Sequence, residues 1–223
     1  MPRQIAAALA PSLDAKSLPL RQRGKDTFES ILATAGALLA EVGFERLTTN
    51  LVCERAGLTP PALYRYFPNK YALLAELARR LMDAQDEVFI AWMEEGGLMA
   101  PTLEEGVRRA VALRKQVVAV TRSQPGGMWI LRAIRALPVL KEVRVASREN
   151  VLDRHFILMR TIFPTIAEDR LRTAVRLSEE TSYAMIEMIL EDPALDEDRV
   201  IEETSWMTTL YFHELAARSA VGN

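Results

Sequence analysis

The stretch Thr48 to Lys70, TTNLVCERAGLTPPALYRYFPNK, limits what this chain can become more than any other part of it. Two short helical patterns flank a four-residue turn. Val52, Cys53 and Ala56 line one side of the first helix, Leu63, Tyr66 and Phe67 one side of the second, and Gly57 stands between them. Gly57 supplies the positive φ that ends the first helix, and Leu58 folds back over the junction. Cys53 falls where the two helices cross, a position that takes only a small side chain. Thr59 is placed to cap the second helix, with Pro60 and Pro61 in its first turn, where missing N–H groups cost nothing. The capping bond is expected at the Ala62 N–H, because Pro61 has none. This is helix-turn-helix spacing, and its exposed face, Pro60, Ala62, Tyr64 and Arg65, is small and polar enough to approach the floor of a major groove.

The surrounding sequence supports that unit. From Asp26 to Val42, Phe28, Ile31, Leu32, Ala35, Leu38 and Val42 recur at three- and four-residue steps, which predicts a bracing helix stopped by Gly43. Phe44 and Leu47 fill the gap before the next helix, expected near Thr48. Pro68 pushes Phe67 out of helical geometry, and Asn69 is placed to cap a long helix from about Lys70 to Glu95, closed by Gly96 and Gly97. Later segments read as helices too: Pro101 to about Ser123, Met128 to Ala136, Pro138 to Phe163, Asp169 to Glu191 and Asp198 to about Ala220. No strand-like alternation of useful length occurs, so the expected class is all-α with about nine helices.

Residues 1–24 mix Ala, Pro, Ser and Arg without a period and read as a flexible basic arm. Arg21, Arg23 and Lys25 cluster just before the first helix, where they can reach a DNA backbone or serve only as a solvated tail. The formal charge of −2 conceals an asymmetry: residues 1–80 carry +4 and residues 81–223 carry −6. A modestly basic module followed by an acidic remainder suits phosphate binding without indiscriminate coating of DNA. The single cysteine excludes an internal disulfide and fits a reducing cytosol. No apolar run approaches the roughly 20 residues needed to span a bilayer, and Ile5 to Ala10 is too short for a secretory signal, so the expected location is cytoplasmic, without membrane attachment.

The runs GFERLTT and ERAGLTPPALYRYFPNKYALL resemble the DNA-binding module of TetR-type bacterial transcriptional regulators, densely over residues 25–77 and in architecture alone beyond. The resemblance implies an N-terminal three-helix DNA-binding domain over residues 25–69 and a larger helical effector-binding and dimerisation domain over residues 70–223. It places Asn50, Pro60, Ala62 and Arg65 where family members touch bases. Thr48, Thr49, Tyr64, Tyr66 and Lys70 stand where they touch phosphates, and Thr59 and Pro61 belong to the same DNA-facing stretch. Position 60 departs from the family pattern, which favours a longer polar or basic residue. Base reading then falls on Asn50, Arg65 and an Ala62 contact with a thymine methyl.

The resemblance also implies an effector cavity in the second domain. Candidate wall residues are Phe89, Met93, Met128, Trp129, Arg132, Phe156, Met159 and Tyr183, with Arg132, His155 or Glu180 as polar partners; core packing is the competing explanation for each. The last two predicted helices carry apolar residues on more than one face. Ala174, Leu177, Thr181, Met185 and Met188 are assigned inward, with Tyr183, Ile186, Ile189 and Leu190 elsewhere; Ile201, Thr208 and Leu215 share one face of the final helix, with Trp206, Leu210 and His213 on another. A second apolar stripe predicts an isologous four-helix contact between two copies, which would present two recognition helices about 34 Å apart, or a multiple, to a palindromic double-stranded operator.

No nucleotide-binding glycine loop, nucleophile elbow or H-E-x-x-H is present, and His155, His213 and Cys53 are too scattered for a zinc site. The expectation is a DNA-binding regulator and no enzyme, without metal or cofactor: a repressor released by a small, largely apolar ligand or, alternatively, a protein whose second domain grips a protein partner.

Overall fold

The computed structural model describes residues 11–221, and the expectations for residues 1–10 lie outside it. Among the described residues there are nine α-helices, one 3₁₀ turn and no strand: α1 (Gln22–Arg46), α2 (Thr49–Ala56), α3 (Pro60–Tyr64), α4 (Lys70–Glu94), α5 (Leu103–Ser123), α6 (Gly127–Ala136), the turn Pro138–Leu140, α7 (Lys141–Ile162), α8 (Glu168–Glu191) and α9 (Glu197–Val221). They form two compact units. One takes the chain up to Leu81 and regains it over Gln124–Arg144; the other is Met82–Ser123 with the chain from Val145 onward. This division differs from the one read from the sequence at residue 70, because the first three turns of α4 and all of α6 pack in the first unit. Helices α4 and α7 each have residues in both units.

In the first unit α1 turns Phe28, Ile31, Leu32, Ala35, Leu38 and Leu39 into the core. By length and composition α1 is the described helix that could cross a membrane, and here its apolar residues serve the interior. It begins four residues before the expected start, so Arg23 and Lys25 stand on the helix and not on an arm. Its expected stop at Gly43 is a break with φ 72° and ψ 172°, after which Phe44–Arg46 add a short further piece. Residues 12–17, expected in a free arm, are tied down. The Lys16 N–H donates to Tyr66 O at 2.7 Å, Asn69 Nδ2 to Ser12 O at 3.1 Å, and Arg79 Nη2 to Leu13 O and Asp14 Oδ1, both at 2.9 Å.

Phe28 packs edge-to-face on Tyr66 at 5.6 Å and tilted on Phe67 at 4.8 Å, joining α1 to the end of the helix-turn-helix. The return of α6 depends on a close approach: a Cβ on Gly36 would meet Pro125 O at 2.5 Å, so only glycine lets α1 and the turn before α6 come together. Ile130, Leu131 and Ile134 of α6 are buried there.

In the second unit α9 packs along α5 and against α8. One end of the core gathers Phe156, Met159, Ile166, Leu171, Val175, Phe212 and Leu215. The inward face of α8 is the expected one only in part: Ala174 and Met185 are buried and Thr181 half-buried, but Leu177 is 52% and Met188 45% exposed, while Ile186 and Ile189 are buried. On α9, Ile201 and Leu215 are buried as expected, and Met207, Leu210 and Tyr211 are exposed.

Candidate nucleic-acid interface and effector cavity

The helix-turn-helix is built by short-range bonds. The Thr48 hydroxyl accepts from the Leu51 N–H at 3.1 Å and caps α2. Gly57, at φ 64° and ψ 32°, closes α2 in the left-handed region, and the Leu58 N–H returns to Cys53 O at 2.9 Å. Val52, Cys53 and Leu63 are buried between the helices. The cap of α3 is different from the one anticipated: the Thr59 side chain makes no capping bond, and the Ala62 N–H donates to the Thr59 backbone carbonyl at 2.9 Å instead. With two prolines at its start α3 leaves few N–H groups to satisfy, and the backbone serves them.

Asn50, Thr59, Pro60, Pro61, Tyr64 and Arg65 are exposed, with Thr49 and Ala62 half-buried. Tyr64 OH and Thr49 Oγ1 share a hydrogen bond of 2.9 Å, which ties the start of α2 to the end of α3 on this face. Thr48 accepts its cap bond and still has a hydroxyl proton to donate. Two expected phosphate contacts are placed otherwise. Tyr66 is only 5% exposed, its ring committed to the core against Phe28. Lys70 is drawn back over Phe44, with Nζ 4.3 Å from the ring centre and 3.3 Å from Phe44 O. The Asn69 side chain caps α4 through the Ala72 N–H at 2.9 Å, as the sequence predicts. Arg55 and Arg80 are engaged on Glu41 and Glu29, which leaves Arg65, lying over the Tyr66 ring edge at 5.7 Å, as the exposed cation of the motif.

The second unit holds a mostly apolar, partly open cavity of about 210 Å³ walled by α4, α5, α7, α8 and α9. That is below the ~300–1,000 Å³ common for drug-sized ligands. Phe89, Trp92, Phe163 and Phe212 give it aromatic walls. Among the described residues, the buried side-chain polar atoms without a hydrogen-bond partner sit on Gln85, Arg114, His155 and Glu179, all lining the cavity, and on Arg144 in the other unit. Such atoms are rare in folded proteins, so their concentration in one cavity marks it.

Two chemistries meet there. On one side Asp86 accepts from Ser147 Oγ at 3.1 Å; burial pushes its carboxyl up to about 7, and Glu179 adds to the effect. Burial also raises Glu179, against the opposing influence of His155, whose Nδ1 stands 3.6 Å away, too far for a hydrogen bond. The Tyr183 phenol is pushed up by burial and by both carboxylates. On the other side Arg114 is 6% exposed, and burial brings its guanidinium down to about 10, so that it stays charged at neutral pH.

A sequence model of bacterial regulatory proteins of the tetR family matches residues 31–77, from mid-α1 into α4. Over 54 residues, 24% of this chain and 25% of the relative, the chain is 48% identical to the tetracycline repressor protein class C of Escherichia coli. Residues 31–77 carry the N-terminal module of the TetR family of bacterial regulators. Matches of this kind span only 24 to 30% of the relatives' own length. Across nearly the whole chain, the HTH-type transcriptional regulator EthR of Mycobacterium tuberculosis is 25% identical over 220 residues, covering 92% of this chain and 97% of EthR. The fold is that of SmeT, solved in complex with triclosan, with a TM-score of 0.58, 21% identity, and coverage of 83% of this chain and 91% of that one.

Of the cavity residues expected by analogy with TetR-family proteins, Phe89, His155, Met159 and Tyr183 line this cavity. Met128, Trp129 and Arg132 do not, because α6 belongs to the first unit. Met93 is buried outside the lining, Phe156 is buried in the adjoining core under the Arg172 guanidinium at 3.9 Å, and Glu180 faces Arg148 at 3.8 Å. The sequence reading missed Asp86, Arg114 and Glu179. Arg114 carried a signal: it interrupts the apolar stripe Val107, Ala110, Val118 of α5 at helical spacing.

Proposed function

We propose that this chain is a homodimeric transcriptional repressor that leaves a palindromic operator when a small, largely apolar ligand fills the cavity. The observation that carries this reading is the cavity itself, an apolar space with buried, unpartnered polar atoms that a folded core has no reason to keep. The helix that supplies Gln85, Asp86 and Phe89 to its wall is α4, which begins at Lys70, directly after the helix-turn-helix. A ligand that favours one position of α4 would thereby change how the DNA-binding unit is held, at a coupling of about 1–3 kcal/mol. EthR and SmeT, regulators of similar architecture, support the assignment of the second unit to effector binding.

Dimerisation rests on α8 and α9, whose exposed Leu177, Met188, Met207, Leu210 and Tyr211 leave more apolar surface than a helix pair in a monomer needs. Base reading rests on Asn50, Arg65 and Ala62, backbone contacts on Thr48, Thr49 and Tyr64, and the site of action is the cytoplasmic nucleoid.

Selection of bound fragments from a random DNA pool tests this directly. A two-fold symmetric sequence should emerge; Asn50→Ala and Arg65→Ala should relax its preference, and Tyr64→Ala should weaken all sequences alike. Sedimentation should give a dimer that Leu210→Glu converts to monomer. A monomer that holds no oligonucleotide at low salt would defeat the reading, and release of DNA by a protein partner with no response to any small molecule would favour the alternative.

A further inference from the structure

The cavity contains positive and negative groups, and they do not stand on equal terms. Asp86 and Glu179 can shed their charge by taking up protons, and burial drives both in that direction. Arg114 has no such escape at neutral pH.

Its surroundings make the imbalance specific. The Arg114 guanidinium donates from Nη1 to Ala110 O at 3.4 Å and to Ser205 Oγ at 3.3 Å, and from Nη2 to Thr208 Oγ1 at 2.8 Å. These acceptors are neutral, and both hydroxyls also donate to their own helix, Ser205 to Ile201 O at 2.7 Å and Thr208 to Thr204 O at 3.0 Å. Three of the five N–H donors are thus used. The Nε–H, buried, has no partner, and the Nη2 group keeps one further N–H. A buried cation held by hydroxyls, with no counter-ion among the described residues, on the wall of an apolar cavity is costly unless an anion completes it. The Nε and Nη2 edge of a guanidinium is the fork that receives a carboxylate by two parallel bonds.

We propose that Arg114 anchors the effector by its carboxylate, and that the ligand class is a small hydrophobic monocarboxylic acid whose apolar body lies among Phe89, Trp92, Phe163 and Phe212. This rests on the cavity being an effector site and names the chemistry it selects. Burial favours the protonated forms of Asp86 and Glu179, which weakens their repulsion of an anion and lets a protonated carboxyl donate to one. The small volume limits the body to a short chain or a ring or two.

Octanoate, octanol and octylamine share a chain and differ in the head group, and their affinities for the full-length protein can be read by displacement of an environment-sensitive dye at pH 7. Octanoate should bind about 10- to 100-fold more tightly than octanol, the range expected for a charged hydrogen bond, with octylamine weakest. Arg114→Met should abolish the octanoate preference while leaving octanol within about threefold, and Arg114→Lys should restore part of it. Equal affinity for octanoate and octanol in the unmodified protein would overturn the anchor and leave the effector site standing. A preference for octylamine that disappears in Asp86→Asn would overturn it in favour of the acidic side. Failure of all three probes to bind would remove the anchor together with the effector reading. The unmodified protein alone decides between these results should the Arg114 variants fail to fold.

Discussion

In the unit that carries the helix-turn-helix, polar side chains close on each other or on backbone at the surface. Arg55 grips Glu41 through two bonds of 2.8 and 2.9 Å, the Thr48 hydroxyl caps α2, and Asn69 caps α4 while also holding Ser12. In the unit that carries the cavity, Gln85, Arg114, His155 and Glu179 are buried with polar atoms left over. The first set stabilises the protein that bears it. The second set costs stability, which is the trade expected if those groups serve the proposed ligand and not the fold.

Core truncation in the first unit gives the largest expected effect. Phe67 is fully buried and lies 4.8 Å from Phe28, so it links α1 to the end of the motif. Phe67→Ala should destabilise by about 3–5 kcal/mol, through lost burial and the cavity left behind. Urea unfolding gives the size, and hydrogen exchange of α1 to α3 amides should accelerate before that of α8 and α9. Uniform acceleration across both units would mean that they do not unfold separately.

The same contrast decides what was legible beforehand. Gly43, Gly57, Pro60 and Asn69 act within four residues of themselves, so their roles could be read from the sequence, and they do what was expected: Gly43 breaks α1, Gly57 turns, Pro60 opens α3 and Asn69 caps α4. The cavity draws its wall from residues 85 to 213 on five helices, and nothing local states which face of α8 turns inward. Leu177 and Ile186 are equally apolar, yet Leu177 is exposed and Ile186 buried on the cavity wall. The mistaken inclusion of Met128 and Trp129 has the same origin: their helix returns to the first unit through the Gly36 contact with Pro125, a meeting of residues 89 positions apart in sequence. Arg114 and Asp86 were readable in principle as charges on apolar stripes, the one pattern in which a local violation points to function.

In the cavity unit, removing a polar group should have the opposite sign. The Asp86 carboxyl, ordinarily at 3.8, is raised to about 7 in the folded chain. Below pH 4 both folded and unfolded chains hold the proton, and the group costs nothing. As pH rises toward 7 the unfolded chain releases the proton while the folded chain keeps it, so stability falls across that window and stays reduced above it. Three units at 1.36 kcal/mol each set an upper bound of about 4 kcal/mol. Asp86→Asn keeps an acceptor for Ser147 Oγ and should therefore be more stable than the unmodified protein at pH 8, with the gain shrinking to nothing near pH 4. Urea midpoints at both pH values measure it. Destabilisation at pH 8 would place Asp86 with the supporting groups of the first unit and break the comparison.

The smallest effect lies inside the helix-turn-helix and separates two threonines that the sequence treats alike. Thr48 and Thr59 each precede a helix, but only the Thr48 hydroxyl bonds a backbone N–H; the N–H that Thr59 was expected to serve donates to the backbone carbonyl of that same residue. Thr48→Ala should cost about 1 kcal/mol, the ordinary value of a lost cap. Thr59→Ala should change stability by only a few tenths, within the scatter of exposed substitutions, since Pro60 and Pro61 have already removed the donors a cap would satisfy. Both threonines lie on the DNA-facing side, so the measurement must be made on free protein. Equal losses at the two positions would show that Thr59 caps α3 in solution, and that the difference between a satisfied surface and an unsatisfied cavity is less sharply drawn within the first unit than the bonds on α2 indicate.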